Sequence, residues 1–315
     1  MSPSSPADGP GPNQRFGRIG PDRIETAIQV LVRGDQAAAT RFMDYARSSG
    51  LSLRHVWGIL DSSDRILATV LAAPSAGRTA VVFASRPRGR GGVPSIGGLL
   101  AAAVDGLQDA PVDLAQALVE PGDGLEEELF LRGGFQKLAE LDYLERPIPR
   151  FGSIPAPTLD PAVRIDPWDP TDRALMIELL QRTYENTLDC PGLAGLRRTE
   201  DILDGHLASG QPMEDWWHVL HIDDEPAGVL LFNRGADGKT IELVYLGLSA
   251  PARGRGFGRQ LLTHGLSRLD GDKARTIVLA VDRANHPATA LYRRAGFRFS
   301  VRRIALVKPV PSRHR

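Results

Sequence analysis

Apolar positions recur along this chain with two periods, and the switches between them mark its elements. A period near 3.6 predicts amphipathic helices over residues 24–32 and 36–47. Short β-branched and apolar runs at 55–60, 66–72 and 79–84 read as strands, the first two joined by the turn Asp61-Ser-Ser-Asp64. An apolar helix follows over 99–107, starting late because a glycine-rich stretch precedes it. Further on, residues 164–166 read as a strand, and Asp169-Pro-Thr-Asp172 starts a helix that runs through Leu175, Ile177, Leu179 and Leu180 to Tyr184. Residues 201–208 give another helix, and the intervening 185–197 are too rich in turn formers to be one. Strands at 216–222 and 227–233 flank a turn and lead into the apolar run 241–248. Phe257, Leu261, Leu262, Leu266 and Leu269 then share one helical face. A strand at 277–281, a helix carrying Leu291 and Tyr292, and a closing strand over 297–307 complete the pattern.

The pattern repeats. Gly134-Phe135 precedes Gly296-Phe297 by 162 positions (296 − 134), and the same offset places Val119 under Val281, Leu129 under Leu291 and Arg132 under Arg294. Phe130 stands where the second copy has Tyr292, and Asp123 where it has Asn285. The expected division is a disordered tail over 1–21, a degenerate first domain over 22–146, a proline-rich linker over 147–162 and a second domain over 163–310.

Strand, glycine loop and helix start follow one another at 241–259, which is anion-binding order. The first amides of a helix lack partners within it, and glycines admit a phosphate to them. A Walker loop needs a terminal Gly-Lys-Ser/Thr, absent here, and a dinucleotide fingerprint fails at its last glycine. What remains is Arg-x-x-Gly-x-Gly, with Arg253, Gly256 and Gly258 at the fixed positions. Downstream stands Asn285-His-Pro-Ala288 followed by Leu291-Tyr292 and Gly296-Phe297, with Asn285 placed to cap a helix and Gly296 to end it. The two motifs, in this order and separation, resemble the signatures of the GNAT family of N-acetyltransferases. The resemblance is close over the second half and faint over the first. It implies an α/β (α+β) fold of two tandem GNAT-like domains, each a mixed, mostly antiparallel sheet flanked by helices. It also implies acetyl-CoA as co-substrate, with pantetheine along Leu246, Gly247 and Leu248 and assisted by Asn285. The pyrophosphate is expected on Gly254, Arg255, Gly256, Phe257, Gly258 and Arg259, with Arg253 and Arg255 adding charge.

Acetyl transfer to an amine requires a neutral nucleophile, donors for the oxyanion and a proton for the leaving thiolate. Glu242 is the one acidic residue of an otherwise apolar strand and matches the position where family members carry a base. Its competing placement is the solvent-facing end of that strand. Tyr292 matches the family's acid, and its competing role is a core aromatic. His264 and His286 read as surface polar residues, and Cys190 either lines an acceptor pocket or is a small buried hydrophobe. The first half repeats the loop as Arg86-Pro-Arg-Gly89-Arg-Gly91-Gly92, yet it has neither a carboxylate in its 79–84 strand nor the tyrosine. That makes it a decayed copy.

Composition narrows the function further. A formal net charge of zero and a single arginine-glycine string among apolar elements argue against a nucleic-acid partner. One cysteine excludes an internal disulfide or a cysteine-built zinc cage, no metal is expected, and no apolar run reaches membrane-spanning length, so a cytoplasmic protein is expected. The resemblance implies a primary amine as acceptor, of a small molecule, with the second domain catalytic. The alternative is a non-catalytic acyl-CoA-binding sensor or scaffold. Neither the acceptor's identity nor the oligomeric state has a signal in these residues.

Overall fold

The computed structural model describes residues 9–122, 124–148, 154–269 and 272–310. It contains one order of elements twice. The first pass runs β1 (Gln14–Arg18), α1 (Ile24–Leu31), α2 (Gln36–Ser48), β2 (Val56–Asp61), β3 (Ile66–Ser75), β4 (Thr79–Ala84), α3 (Val93–Asp105), β5 (Leu114–Val119), α4 (Leu125–Arg132) and β6 (Gln136–Pro147). The second runs β7 (Val163–Pro167), α5 (Arg173–Tyr184), α6 (Thr199–Ala208), β8 (Gln211–Ile222), β9 (Glu225–Arg234), β10 (Thr240–Leu248), α7 (Phe257–Arg268), β11 (Thr276–Asp282), α8 (His286–Arg294) and β12 (Arg298–Pro309).

Two compact units result, one comprising Met1–Leu138 with Arg303–Arg315, the other Ala139–Arg302. Boundaries at 146, 163 and 310, expected from the linear order, differ from these because the last strand of each pass pairs elsewhere. In the first unit β5 pairs antiparallel with the 304–309 part of β12, and in the second β11 pairs antiparallel with β6. An apolar strand pattern shows that residues 297–307 form a strand without showing which sheet receives them. The expected disordered tail also needs correction. Of it, residues 1–8 lie outside the described residues, but β1 pairs with β2, and Phe16 packs against the core. A lone phenylalanine among polar residues gives no alternation to detect. Residues 149–153 of the expected linker, and Asp123, also lie outside the described residues.

Within the first unit the sheet order is β1-β2-β3-β4-β5-β12, and within the second it is β6-β11-β10-β9-β8-β7. Both faces of each sheet are covered, and strand periodicity shows how. In β3, Val70 and Ala72 join the core beneath α3 and α4, whereas Leu71 and Ala73 join the one beneath α1 and α2. β9 repeats this, with Leu230 and Phe232 packed towards α7 and α8 and Val229 and Leu231 towards α5 and α6. Buried on both faces, these strands read as continuous apolar runs instead of alternating ones.

Contrary to the expectation of a late start at 99, α3 begins at Val93 after a 3₁₀ turn at Arg90–Gly92. Pro94 fits the first turn, where its missing amide costs nothing. Gly97 stays helical against α4, where a Cβ would come within 3.0 Å of Arg132 Cβ.

Candidate active site

In the second unit the parallel ladder between β10 and β11 covers Thr240–Glu242 against Thr276–Val278, although β10 runs on to Leu248 and β11 to Asp282. The register of β10 against β9 shifts between Leu243 and Tyr245, a bulge that turns β10 away. Beyond Glu242 the two strands therefore part, leaving the β11-side edge of Leu246 and Gly247 without a sheet partner among the described residues. Such an edge is an unused row of backbone donors and acceptors.

The glycine loop follows directly. Gly254 and Gly256 hold φ of 75° and 86°, a left-handed backbone that glycine adopts without penalty, and a Cβ on either would meet nothing within 4 Å. Gly256 occupies the N-cap of α7 and no side chain caps that helix, in contrast to α5 and α8, capped by Asp172 and Asn285. The opening amides of α7 thus stand at the positive end of its dipole beside open space. Arg255 and Arg259 are exposed there, and the Arg255 guanidinium lies 4.7 Å from the centre of the Phe257 ring, which is itself buried in the core. Gly258 fits between Leu248 and Leu291, each 3.7 Å from a Cβ built on it.

Arg253 departs from its expected role. Its guanidinium donates to the carbonyls of Leu248 at 3.0 Å, Asn186 at 3.0 Å and Thr183 at 2.9 Å. Those bonds tie the loop to the end of α5 and occupy the Leu248 carbonyl, which was expected to receive pantetheine. The side chain is a brace, whereas Arg255 and Arg259 are exposed beside the loop.

Asn285 caps α8 by accepting from the Ala288 amide at 3.2 Å. One turn on, Tyr292 is 7% exposed, meets Phe297 edge-on, and makes no hydrogen bond through its hydroxyl among the described residues. Burial pushes its pKa up, and the charges of Asp189 and Tyr245 push further. The phenol is accordingly protonated at neutral pH.

Glu242 is half-buried and accepts from Ser209 Oγ at 3.0 Å through Oε2. The α6–β8 corner that carries Ser209 is held by Asn233, which donates to the carbonyls of His206 and Ser209 and accepts from Trp217 Nε1. Among the described residues no hydrogen bond joins Glu242 to Tyr292.

A polar wall that sequence reasoning missed stands beside them. Thr183 Oγ1 donates its proton to Leu180 O at 2.8 Å, so the 3.0 Å contact with Tyr245 must have the phenol as donor. Tyr184 and His206 share a 3.2 Å hydrogen bond, and the Tyr245 ring packs on both. Burial, and then the charge of Arg197, pushes His206 down to about 4, so the imidazole is neutral at physiological pH. Gly247 serves this wall, since a Cβ there would come 2.5 Å from the Tyr245 hydroxyl. Tyr245 could have been found from its place between Glu242 and Gly247 in the strand, whereas Asp189 lies in a turn-rich segment with no periodicity to orient it.

Of the remaining residues, Cys190 is half-buried, and burial, with Asp189 and Asp282 behind it, pushes its thiol up to about 12. His264 is half-buried, its ring meeting the buried His218 at 4.8 Å. His286 is exposed at the start of α8. Among the described residues no group of three or more histidine, cysteine or acidic side chains is placed to hold a metal, and no helix is long and apolar enough to cross a membrane.

The first unit repeats the parting strands, with β4 and β5 paired over Thr79–Val81 against Leu114–Gln116. Its loop is different in charge. Arg90 bonds Glu128 at 2.9 Å and Arg86 lies 3.5 Å from Glu126, both glutamates belonging to the first turn of α4. At the 162 offset the second unit has Ala288 and Ala290 there. Carboxylates of the chain itself sit where a phosphate would need its cations.

The sequence model of the Acetyltransferase (GNAT) family matches residues 176–297, the stretch from α5 to the end of α8. Residues 176–297 belong to the GNAT family. A mycothiol acetyltransferase of Streptomyces bingchenggensis is 29% identical over 179 residues, covering 52% of this chain and 53% of that protein, so the match spans about half the relative's length. Among solved structures, a GCN5-related N-acetyltransferase from Sphaerobacter thermophilus superposes over 96% of this chain and 98% of its own, with TM-score 0.62 and 18% identity. A tandem GNAT protein from the clavulanic acid biosynthesis pathway covers 95% of this chain and 99% of its own, with TM-score 0.53 and 16% identity. These likenesses extend over both units, and the fold is a tandem GNAT fold.

Proposed function

We propose that this protein transfers the acetyl group of acetyl-CoA to a primary amine of a small molecule, and that the second unit carries the chemistry. The observation that carries this reading is the parting of β10 and β11 next to an uncapped, glycine-opened α7. Together they offer a strand edge for an amide-bearing arm and amides for a pyrophosphate. The mycothiol acetyltransferase relative supports a small-molecule amine of this general kind, without fixing which one.

In this reading the Leu246 and Gly247 backbone holds the donor, while Gly256, Phe257 and Gly258 take the pyrophosphate beside Arg255 and Arg259. Glu242 accepts one proton from the ammonium form of the acceptor. The free amine nitrogen attacks the thioester carbon, forming N–C, and the tetrahedral centre collapses with the C–S electron pair leaving on sulfur. Tyr292 protonates the thiolate and regains the proton that nitrogen loses, giving an amide and free CoA.

A non-catalytic scaffold using both loops as acyl-CoA sensors is the other reading, and the Arg86–Glu126 and Arg90–Glu128 pairs count against it. Calorimetric titration of acetyl-CoA, with an assay for CoA release in the presence of amines, separates them. One site per chain with amine-dependent release is expected. Two sites without release would favour the sensor, and no binding would overturn both readings.

A further inference from the structure

Asp189 lies in the 185–197 segment between α5 and α6, and the backbone bonds around it hold its carboxylate still. Its Oδ1 accepts the Asp282 amide at 3.0 Å and its own amide donates to Thr187 Oγ1 at 3.1 Å. The next amide, that of Cys190, donates to Asp282 Oδ2 at 3.2 Å, and Asp282 Oδ1 accepts from Ala284 at 2.9 Å. Two reciprocal bridges therefore pin residues 189 and 190 to the end of β11, just ahead of the α8 cap. Next to this pin Cys190 stands at φ of 47°, a left-handed conformation that a non-glycine residue keeps only where its surroundings enforce it.

One atom of this arrangement has no use within the chain. Asp189 Oδ2 makes no hydrogen bond among the described residues. Nor does the hydroxyl of Tyr292, a buried side chain whose pKa the Asp189 charge helps to raise. The neighbouring phenols are committed, Tyr245 to Thr183 and Tyr184 to His206. Burial raises the pKa of Asp189, its bond from the Asp282 amide opposes this, and the like charge of Asp282 adds to the rise. A half-buried carboxylate, fixed by the Asp282 amide, set against another carboxylate and with one oxygen unbonded, is suited to a cation.

We propose that Asp189 binds the ammonium group of the acceptor through Oδ2 and sets its nitrogen beside Tyr292, so that the acceptor is an aliphatic primary amine, cationic at neutral pH. This rests on the acetyl-transfer reading and adds an acceptor class to it. Asp189 takes no proton in the reaction; it orients the amine and loses its hold as the nitrogen becomes an uncharged amide, which favours product release.

The test compares wild type, Asp189→Asn and Asp189→Glu with a panel of primary amines spanning aminoalcohols, diamines, amino sugars and the weakly basic arylamine p-anisidine, read by CoA release. Wild type is expected to prefer the cationic aliphatic amines. Asp189→Asn keeps an oxygen for the Asp282 amide, so it should leave acetyl-CoA affinity unchanged while raising the acceptor KM about ten- to a hundred-fold, with kcat within about three-fold. Asp189→Glu should recover part of that loss, which a merely structural role would not predict. An unchanged KM in Asp189→Asn, equal losses in KM and acetyl-CoA affinity, or a wild-type preference for p-anisidine would each overturn the proposal. Failure of the underlying reading is distinguishable because it shows in wild type, as absence of acetyl-CoA binding or of release with every amine, and it would take this inference with it.

Discussion

The Ser209 hydroxyl donates to Glu242 Oε2 at 3.0 Å, joining the end of α6 to the last position at which β10 pairs with β11. This bond decides how Glu242 can work, because it holds one carboxylate oxygen at the point where the two parallel strands separate. With Oε2 occupied, Oε1 is the oxygen left to receive a proton. Glu242→Gln preserves the shape and the acceptor for Ser209 but removes the base, and kcat should fall by about 10²- to 10⁴-fold with acetyl-CoA affinity intact. Ser209→Ala frees the carboxylate to rotate and should cost about ten-fold or less. Steady-state rates with the best amine of the panel check both, and a Glu242→Gln variant as fast as wild type would move the base to another group.

Tyr292 makes a different prediction because its phenol is held protonated by burial and by the charges of Asp189 and Tyr245. Tyr292→Phe keeps the packing on Phe297 and should lower kcat while acetyl-CoA affinity stays within about two-fold. Because the folded pKa is raised above the ordinary value of 10.0, deprotonation of this phenol should not limit kcat below pH 10. A kcat of the phenylalanine variant equal to that of wild type would assign Tyr292 to the core alone.

Much of this was legible in the residues. The two-fold order of elements, the glycine loop, the Asn285 cap and the α8 tyrosine all follow from local rules: period, capping preference and left-handed glycine. Exchange of the final strands was not legible, since the pattern of Phe297 to Val307 is satisfied by any sheet with two apolar faces. Arg253 misled for a similar reason. Arginine beside a phosphate-binding loop suggests charge, and only the positions of the Leu248, Asn186 and Thr183 carbonyls reveal a brace. Asp189 was hidden because its role depends on Asp282, 93 residues away.

The loop arginines should separate by readout. Arg253→Ala removes three charge-assisted bonds to carbonyls, and a loss of about 2–3 kcal/mol in unfolding free energy is expected. Arg253→Lys should recover little, since an ammonium cannot reproduce the planar fork. Arg255→Ala should leave stability within about 0.5 kcal/mol and weaken acetyl-CoA several-fold, an effect that shrinks as salt is added. Gly256→Asp meets no clash but places a carboxylate and a strained backbone at the α7 start, and should weaken acetyl-CoA most. Denaturant melts with calorimetry check all four, and unaltered binding in Gly256→Asp would refute the loop as the anion site.

A last prediction concerns stability alone. His218 is 1% exposed and packs edge-on against His264; its two ring nitrogens have no partner among the described residues. Burial, and then the neighbouring His264, lowers its pKa from the ordinary 6.5 to about 4. Once the chain unfolds, the imidazole titrates near 6.5 again. Between those values the unfolded state binds more protons than the folded one, so stability falls as pH drops from about 6.5 towards 4 and the effect is exhausted below that. At about 1.4 kcal/mol per unit this amounts to at most about 3.5 kcal/mol. His218→Phe keeps a ring against His264 while removing the proton site, so its urea midpoint should change less between pH 7 and pH 5 than that of wild type. Equal changes in the two proteins would show that the acid sensitivity arises elsewhere.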